Sequence, residues 1–214
     1  DTFIVNFFRG ATGVGLYSTG VATAEILWYI PNSVSGALFP KSATLGKEVA
    51  STVTARACRQ TLLVIIPLTI IFSGVGSLMI PLVFGIEFQA SVLPFLLLLP
   101  GVIGLTIGKV IFANLSGRGK PQYATYTSVI ALIFTVILDL ALIPYIGIAG
   151  AAIASSISYV LVALISIYWF VDETSIHWTE VVVPTLADLN YLIHLGDEKL
   201  RNSFVLIKHA IRHK

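Results

Sequence analysis

Charge is what this chain lacks most. Of its 214 residues only 11% are Asp, Glu, Lys or Arg, under half the roughly 25% found in soluble domains. Cysteine occurs once, at Cys58, so no intrachain disulfide can form and a disulfide-stapled secreted module is excluded. Histidine is confined to the C-terminal stretch, at His177, His194, His209 and His213. There is no HExxH, GxSxG or CxxC motif, and Gly104 to Gly108-Lys109 has three intervening residues where a phosphate-binding loop needs four. These absences argue against an enzyme. No Lys/Arg block is interleaved with aromatics, so nucleic acid is not an expected partner. No basic segment and cleavage site precede an apolar run, and the chain starts at Asp1; it reads as beginning inside a longer protein.

Apolar residues fill the space that charge leaves. They make up 56% of the chain, and mean hydropathy is +0.91. A soluble domain of this size cannot hide so much oil, so the fold class expected is all-α, a polytopic transmembrane helix bundle. A spanning helix needs about 20 mostly apolar residues. Residues 60–86, 88–108, 121–138 and 140–171 carry no charge. Turn signals at Pro81 and Gly85, at Gly117-Arg118-Gly119-Lys120-Pro121 and at Pro144-Tyr145-Ile146-Gly147 cut these runs. Five complete spans follow, at 16–38, 60–83, 92–115, 122–144 and 148–170, after a partial helix at 1–8. The polar stretch 41–60 reads as a short helix lying on the membrane surface. Residues 171–214 form a tail, with Leu200, Phe204, Ile207 and Ile211 on one face of a basic helix.

Lys and Arg fall in alternate loops. Lys41, Lys47, Arg56 and Arg59 lie in one, Arg118 and Lys120 in another, and the tail adds five more, whereas 84–91 and 144–147 have none. The positive-inside rule places the basic loops and the tail in the cytoplasm of a multi-pass protein of the cell's inner, or plasma, membrane. Arg9 falls on the outer side.

Glu25, Lys109 and Asp139 lie within complete spans, and Asp1 within the partial one. An Asp or Lys at a helix centre costs roughly 2.5–3.5 kcal/mol on insertion scales. Such groups either pair, as Lys109 with Asp139 across two helices, or line a wet cavity. A fixed cation there would attract the phosphate of a lipid-linked substrate, and a carboxylate with hydroxyl neighbours can take a proton or a sodium ion. Thr135 lies one turn before Asp139 on the same face. Pro67, Pro94 and Pro100 should kink their spans. The series Gly101, Gly104, Gly108 and Gly150, Ala154, Ser158 suit close helix packing.

Several ordered motifs resemble one family over nearly the whole chain. They are Asp1-Thr2-Phe3 with Gly10-Ala11 and Val14-Gly15-Leu16-Tyr17-Ser18; Ile30-Pro31 with Leu38-Phe39-Pro40; Ile80-Pro81-Leu82-Val83-Phe84-Gly85; Ser116-Gly117-Arg118-Gly119-Lys120-Pro121; and Leu142-Ile143-Pro144 with Gly147-Ile148 and Gly150-Ala151-Ala152-Ile153-Ala154. The chain resembles the C-terminal half of a polysaccharide-biosynthesis flippase, of the multidrug/oligosaccharidyl-lipid/polysaccharide exporter superfamily. That resemblance implies two six-helix lobes around a cavity open alternately to each side, this chain supplying most of the second. It implies an undecaprenyl-pyrophosphate-linked oligosaccharide as substrate and the missing N-terminal half and membrane lipid as partners. It implies no cofactor beyond a coupling H+ or Na+. Lys109 and Arg9 would steer the pyrophosphate. Asp139, with Thr135, Glu25 and Asp1, would couple the ion; Asp139, Thr135 and Asp1 fall where related flippases hold sodium, with Thr135 in place of an asparagine. The alternatives are a cation-coupled drug exporter of the same superfamily and a membrane-embedded polysaccharide polymerase or ligase, which the short outer loops disfavour.

Overall fold

The computed structural model describes residues 1–191. Among these the protein is helical throughout, with no strand. It is an all-α membrane bundle. The helices are α1 (Thr2–Glu25), α2 (Tyr29–Thr44), α3 (Lys47–Phe84), α4 (Val92–Gly117), α5 (Gln122–Ile146), α6 (Ile148–Thr174) and the short α7 (Trp178–Val182). Short 3-10 segments, Ile26–Trp28 and Ile86–Ser91, join α1 to α2 and α3 to α4. The tail helix expected over Leu200, Phe204, Ile207 and Ile211, with His209 and His213, lies outside the described residues.

Four helices are long and apolar enough to cross a bilayer: α3, α4 with its leading 3-10 turn, α5 and α6. A fifth complete span was expected over 16–38. That stretch runs through the second arm of α1, a 3-10 turn directly after Glu25, and α2, with the backbone right-handed at both ends of the turn. Gly10 breaks α1 as well, at φ 66° and ψ −173°, a conformation open only to glycine. Arms 2–9 and 11–25 therefore run as separate rods.

From Lys47 onward the polar stretch before the second span is not a separate short helix. It continues into α3, a single helix of 38 residues, about 57 Å long at 1.5 Å per residue. A hydrocarbon core is about 30 Å thick, so α3 projects well beyond it. The first turns of α3 bury Ala50, Ser51, Thr54 and Ala55 and leave Lys47, Glu48, Val49, Thr52 and Arg56 exposed on the other side. Pro94 does not kink α4 either. It stands in the first helical turn, where its missing N–H has no partner to lose.

α4 is the centre of the bundle and touches α1, α2, α3 and α6. Its glycines set the approach to α6. A Cβ on Gly101 would come 2.6 Å from Ser156 Cα, one on Gly104 3.2 Å from Val160 Cα, and one on Gly108 2.9 Å from Val162 Cγ1. Lipid supplies no hydrophobic drive between helices, so close backbone packing of this kind does the holding. α5 lies at the edge. Only Thr127, Ala131, Asp139 and Ile143 of that helix are buried.

Polar ties gather where the basic loops are. Lys120 Nζ donates to Glu173 Oε2 at 2.5 Å, and Tyr123 Oη to Glu173 Oε1 at 2.5 Å. Tyr123 also stacks on Trp169, with Tyr168 beside it. Aromatic rings and cations at one level of a bundle mark a membrane–water interface.

Candidate functional site

The ionisable residues inside the spans fall into two separate places. The first is an open groove. Lys109, on the third turn from the end of α4, donates from Nζ to Asn32 Oδ1 of α2 at 2.8 Å. Its ammonium also sits 4.6 Å from the centroid of the Trp28 ring. The pair Lys109–Asp139 expected from sequence does not form. α6 packs against both α4 and α5, while α4 and α5 hardly touch, so Asp139 lies beside Asp1 and Lys109 meets Asn32 instead. Glu25 is exposed and lines a hollow of about 330 Å³ with Ala22, Ile26, Trp28, Tyr29 and Asn32. A second hollow of about 410 Å³ meets it at Asn32 and is lined by Ser35, Phe39, Lys109, Phe112, Ala113 and Ser116. Asn32 is thus the shared wall of one polar trough. Glu25 lies at one end and Lys109 at the other.

The second place is closed. Asp139 is wholly buried, and neither carboxylate oxygen has a hydrogen-bond partner. The α-nitrogen of Asp1 lies 3.7 Å from Asp139 Oδ2, beyond hydrogen-bond range. Asp1 Oδ2 accepts from Tyr17 Oη at 3.1 Å and from Ser155 Oγ at 2.8 Å, and the two hydroxyls lie 3.0 Å apart. One turn from Asp139, Thr135 Oγ1 contacts Ser158 Oγ at 2.6 Å and Ala131 O at 2.8 Å. Asp1 stands exposed at the edge of this place, while Asp139, Tyr17, Ser155 and Ser158 are buried in it. A carboxylate buried with both oxygens unpaired is costly unless it holds a proton or a cation.

Arg9 belongs to neither place. Its Nη2 donates to Ile143 O at 3.1 Å and Pro144 O at 3.2 Å, carbonyls at the C-terminus of α5, the first of which also accepts from Gly147 N–H. A cation there answers the negative end of the helix. Arg9 and Lys109 are not brought together: the 11–25 arm, about 22 Å long at 1.5 Å per residue, runs between Arg9 and the groove. Glu25 likewise lines the groove and not the Asp139 site.

Sequence reasoning passed over Trp28 and Asn32, and it used Tyr17, Ser155 and Ser158 only as motif or packing residues. Two signals were available. Asn32 follows Pro31 inside an apolar stretch, and Ser155 and Ser158 share the small-residue face of α6 with Ala151 and Ala154.

Over 208 residues the chain is 28% identical to an uncharacterized membrane protein of Methanocaldococcus jannaschii, covering 92% of this chain and 41% of that protein. Over 180 residues it is 23% identical to the probable low-salt glycan biosynthesis flippase Agl15 of Haloferax volcanii, covering 82% of this chain and 38% of that protein. The chain therefore spans about two-fifths of the length of the curated relatives it matches. No protein-family model matches it, and no solved structure does. Helices and relatives together make this a multi-pass membrane protein with similarity to a glycan biosynthesis flippase.

Proposed function

We propose that the chain is the C-terminal helical lobe of a transporter that turns a lipid-linked glycan from one leaflet to the other by alternating access. The observation that carries the reading is the lodging of Lys109. An ammonium set mid-bundle would ordinarily be paired with a carboxylate. This one rests on a neutral amide and an indole face, beside open space. Asn32 occupies one of its three N–H groups, so the others remain for the oxygens of a phosphate or a pyrophosphate such as that of an undecaprenyl carrier. Trp28 fixes the ammonium without neutralising it. Glu25 repels the phosphate from the far end of the trough and accepts hydroxyls there. No bond is made or broken.

The closed site supplies the coupling. Asp139 with its unpaired oxygens, Asp1, Thr135 and the hydroxyls of Tyr17 and Ser155 suit a proton or a sodium ion moved as co-substrate. Filling or emptying the site changes the cost of burying Asp139 between α1, α5 and α6, and so biases which packing of those helices is stable. Under this reading the basic loops and the tail face the cytoplasm, by the charge rule. Arg9 braces the α5–α6 hairpin.

A cation-coupled drug exporter is the second reading, and Glu25 exposed in the trough favours it. One experiment separates the two. The full-length protein is reconstituted in vesicles and translocation of a fluorescent polyprenyl-pyrophosphate saccharide is followed. K109Q is expected to slow translocation at least about tenfold, the equivalent of one charge-assisted hydrogen bond of about 1.5–3 kcal/mol. Wild-type rates with K109Q overturn the reading. Transport of a cationic dye that is lost with E25Q establishes the second one.

A further inference from the structure

We propose that the hollow at the basic end of α3 is a binding site for the phosphate of an anionic membrane lipid. It holds about 220 Å³ and is lined by Arg56, Arg59, Gln60, Thr185, Ala187, Asp188 and Tyr191. Arg59 and Asp188 do not serve the ligand, because they hold each other. Arg59 Nε donates to Asp188 Oδ2 at 2.6 Å and its Nη2 to Asp188 Oδ1 at 3.3 Å. Arg59 Nη1 also donates to the carbonyl of Glu180. Thr185 gives Asp188 Oδ2 two further hydrogen bonds, from its N–H at 3.0 Å and its hydroxyl at 2.6 Å. That knot fastens the segment after α7 to α3 and makes the far wall of the hollow.

What is left over is donor capacity. Arg56 is exposed and forms no ion pair among the described residues. Gln60 Nε2 is buried with no acceptor. With the Arg59–Asp188 charges cancelling, the lining carries a net positive charge from Arg56. A guanidinium and an orphaned amide donor one helical turn apart suit the two free oxygens of a phosphodiester.

The level in the membrane identifies the source. Gln60 begins the charge-free run 60–86, so the hollow opens at headgroup height, where basic pockets between helices take anionic headgroups. Val64, one turn further along α3 from Gln60, is 40% exposed and continues the same face into the hydrocarbon. A headgroup at Arg56 and Gln60 would lay its acyl chains on Val64. The hollow has room for the phosphate and not for a whole lipid.

The test does not depend on transport. The full-length protein is purified in mild detergent, and retained phosphatidylglycerol and phosphatidylcholine are counted by native mass spectrometry. The wild-type protein is expected to retain phosphatidylglycerol preferentially, R56Q to lose that preference about tenfold, and Q60L to weaken it. R56K keeps the charge without the planar fork and should retain part of it. Added phosphatidylglycerol should also raise the melting temperature of the wild-type protein and not of R56Q. Unchanged retention and melting with R56Q overturn the proposal. Inorganic phosphate giving the full melting shift, with no preference between the two lipids, also overturns it in favour of a soluble anion.

Discussion

Tyr17 Oη donates to Asp1 Oδ2 at 3.1 Å across a separation of 16 residues in α1. Along an unbroken helix that separation is about 24 Å. The hydrogen bond exists because Gly10 folds arm 2–9 back along arm 11–25, which delivers Asp1 to Ser155 and to the edge of the Asp139 site. One backbone angle thus assembles the closed site from distant sequence.

Gly10→Ala should consequently undo the site. A Cβ at Gly10 meets nothing within 4 Å, so the cost is backbone strain alone, about 1–3 kcal/mol. The expected result is a lower melting temperature and loss of cation- or proton-dependent stabilisation together. Full retention of both would mean the arm can reverse elsewhere.

Gly101 and Gly74 make a matched pair. The Cβ of Gly101→Ala would fall 2.6 Å from the backbone of α6, whereas at Gly74 nothing lies within 4 Å. G101A is expected to cost about 1–3 kcal/mol through overpacking. G74A, in the interior of α3, should be neutral or stabilising. Melting of the two variants in the same detergent checks the contrast, and equal effects would show that α4 and α6 do not pack closely in the membrane.

Much of this architecture was readable from composition. Charge-free runs 60–86, 88–108, 121–138 and 140–171 became α3 to α6 because an uncharged run long enough to span has few other stable fates. A partial helix ending at 8 and a span starting at 16 were readable, and the break falls between them at Gly10; the glycine series announced close helix packing. The course of α3 through 47–60 was not. Its helical propensity suits a surface helix and an extended span equally, and tertiary burial of Ala50 and Thr54 decides. Partners of the buried charges were illegible too. Lys109 and Asp139 are opposite in sign and both intramembrane, so pairing was the cheapest guess. What prevents it is that α5 packs on α6 and hardly on α4, and no periodicity announces which helices pack together.

Acid should release the segment after α7. Burial pushes the Asp188 carboxyl up, but hydrogen bonds from Arg59 and Thr185 outweigh it and hold the group at about 2. A carboxyl depressed on folding contributes stability above its unfolded value, about 3.9, and loses it as pH falls toward the folded one. Docking should therefore be complete above about pH 4 and fail progressively toward pH 2. A version keeping Trp178 as the single tryptophan reports this by fluorescence, since Trp178 stands in α7. D188N should show the released signal at neutral pH. A pH-independent signal in the wild-type protein would mean that the Arg59–Asp188 pair does not hold the segment.

Asp139→Asn separates a coupling role from a structural one. An ionised carboxylate buried without hydrogen bonds is destabilising in the empty state, and both oxygens of Asp139 are unpaired. Asparagine fills the same volume without the charge. If Asp139 exists to hold a proton or a cation, D139N should melt at or above the wild-type temperature in the absence of sodium at neutral pH. It should lose whatever stabilisation sodium or acid confers, and transport in vesicles should fall at least about tenfold. If Asp139 is only a fastener between α5 and its neighbours, the substitution lowers the melting temperature and leaves the ion dependence intact. Stability and ion response move in opposite directions under the two accounts, so one melting series with and without sodium, at two pH values, decides between them.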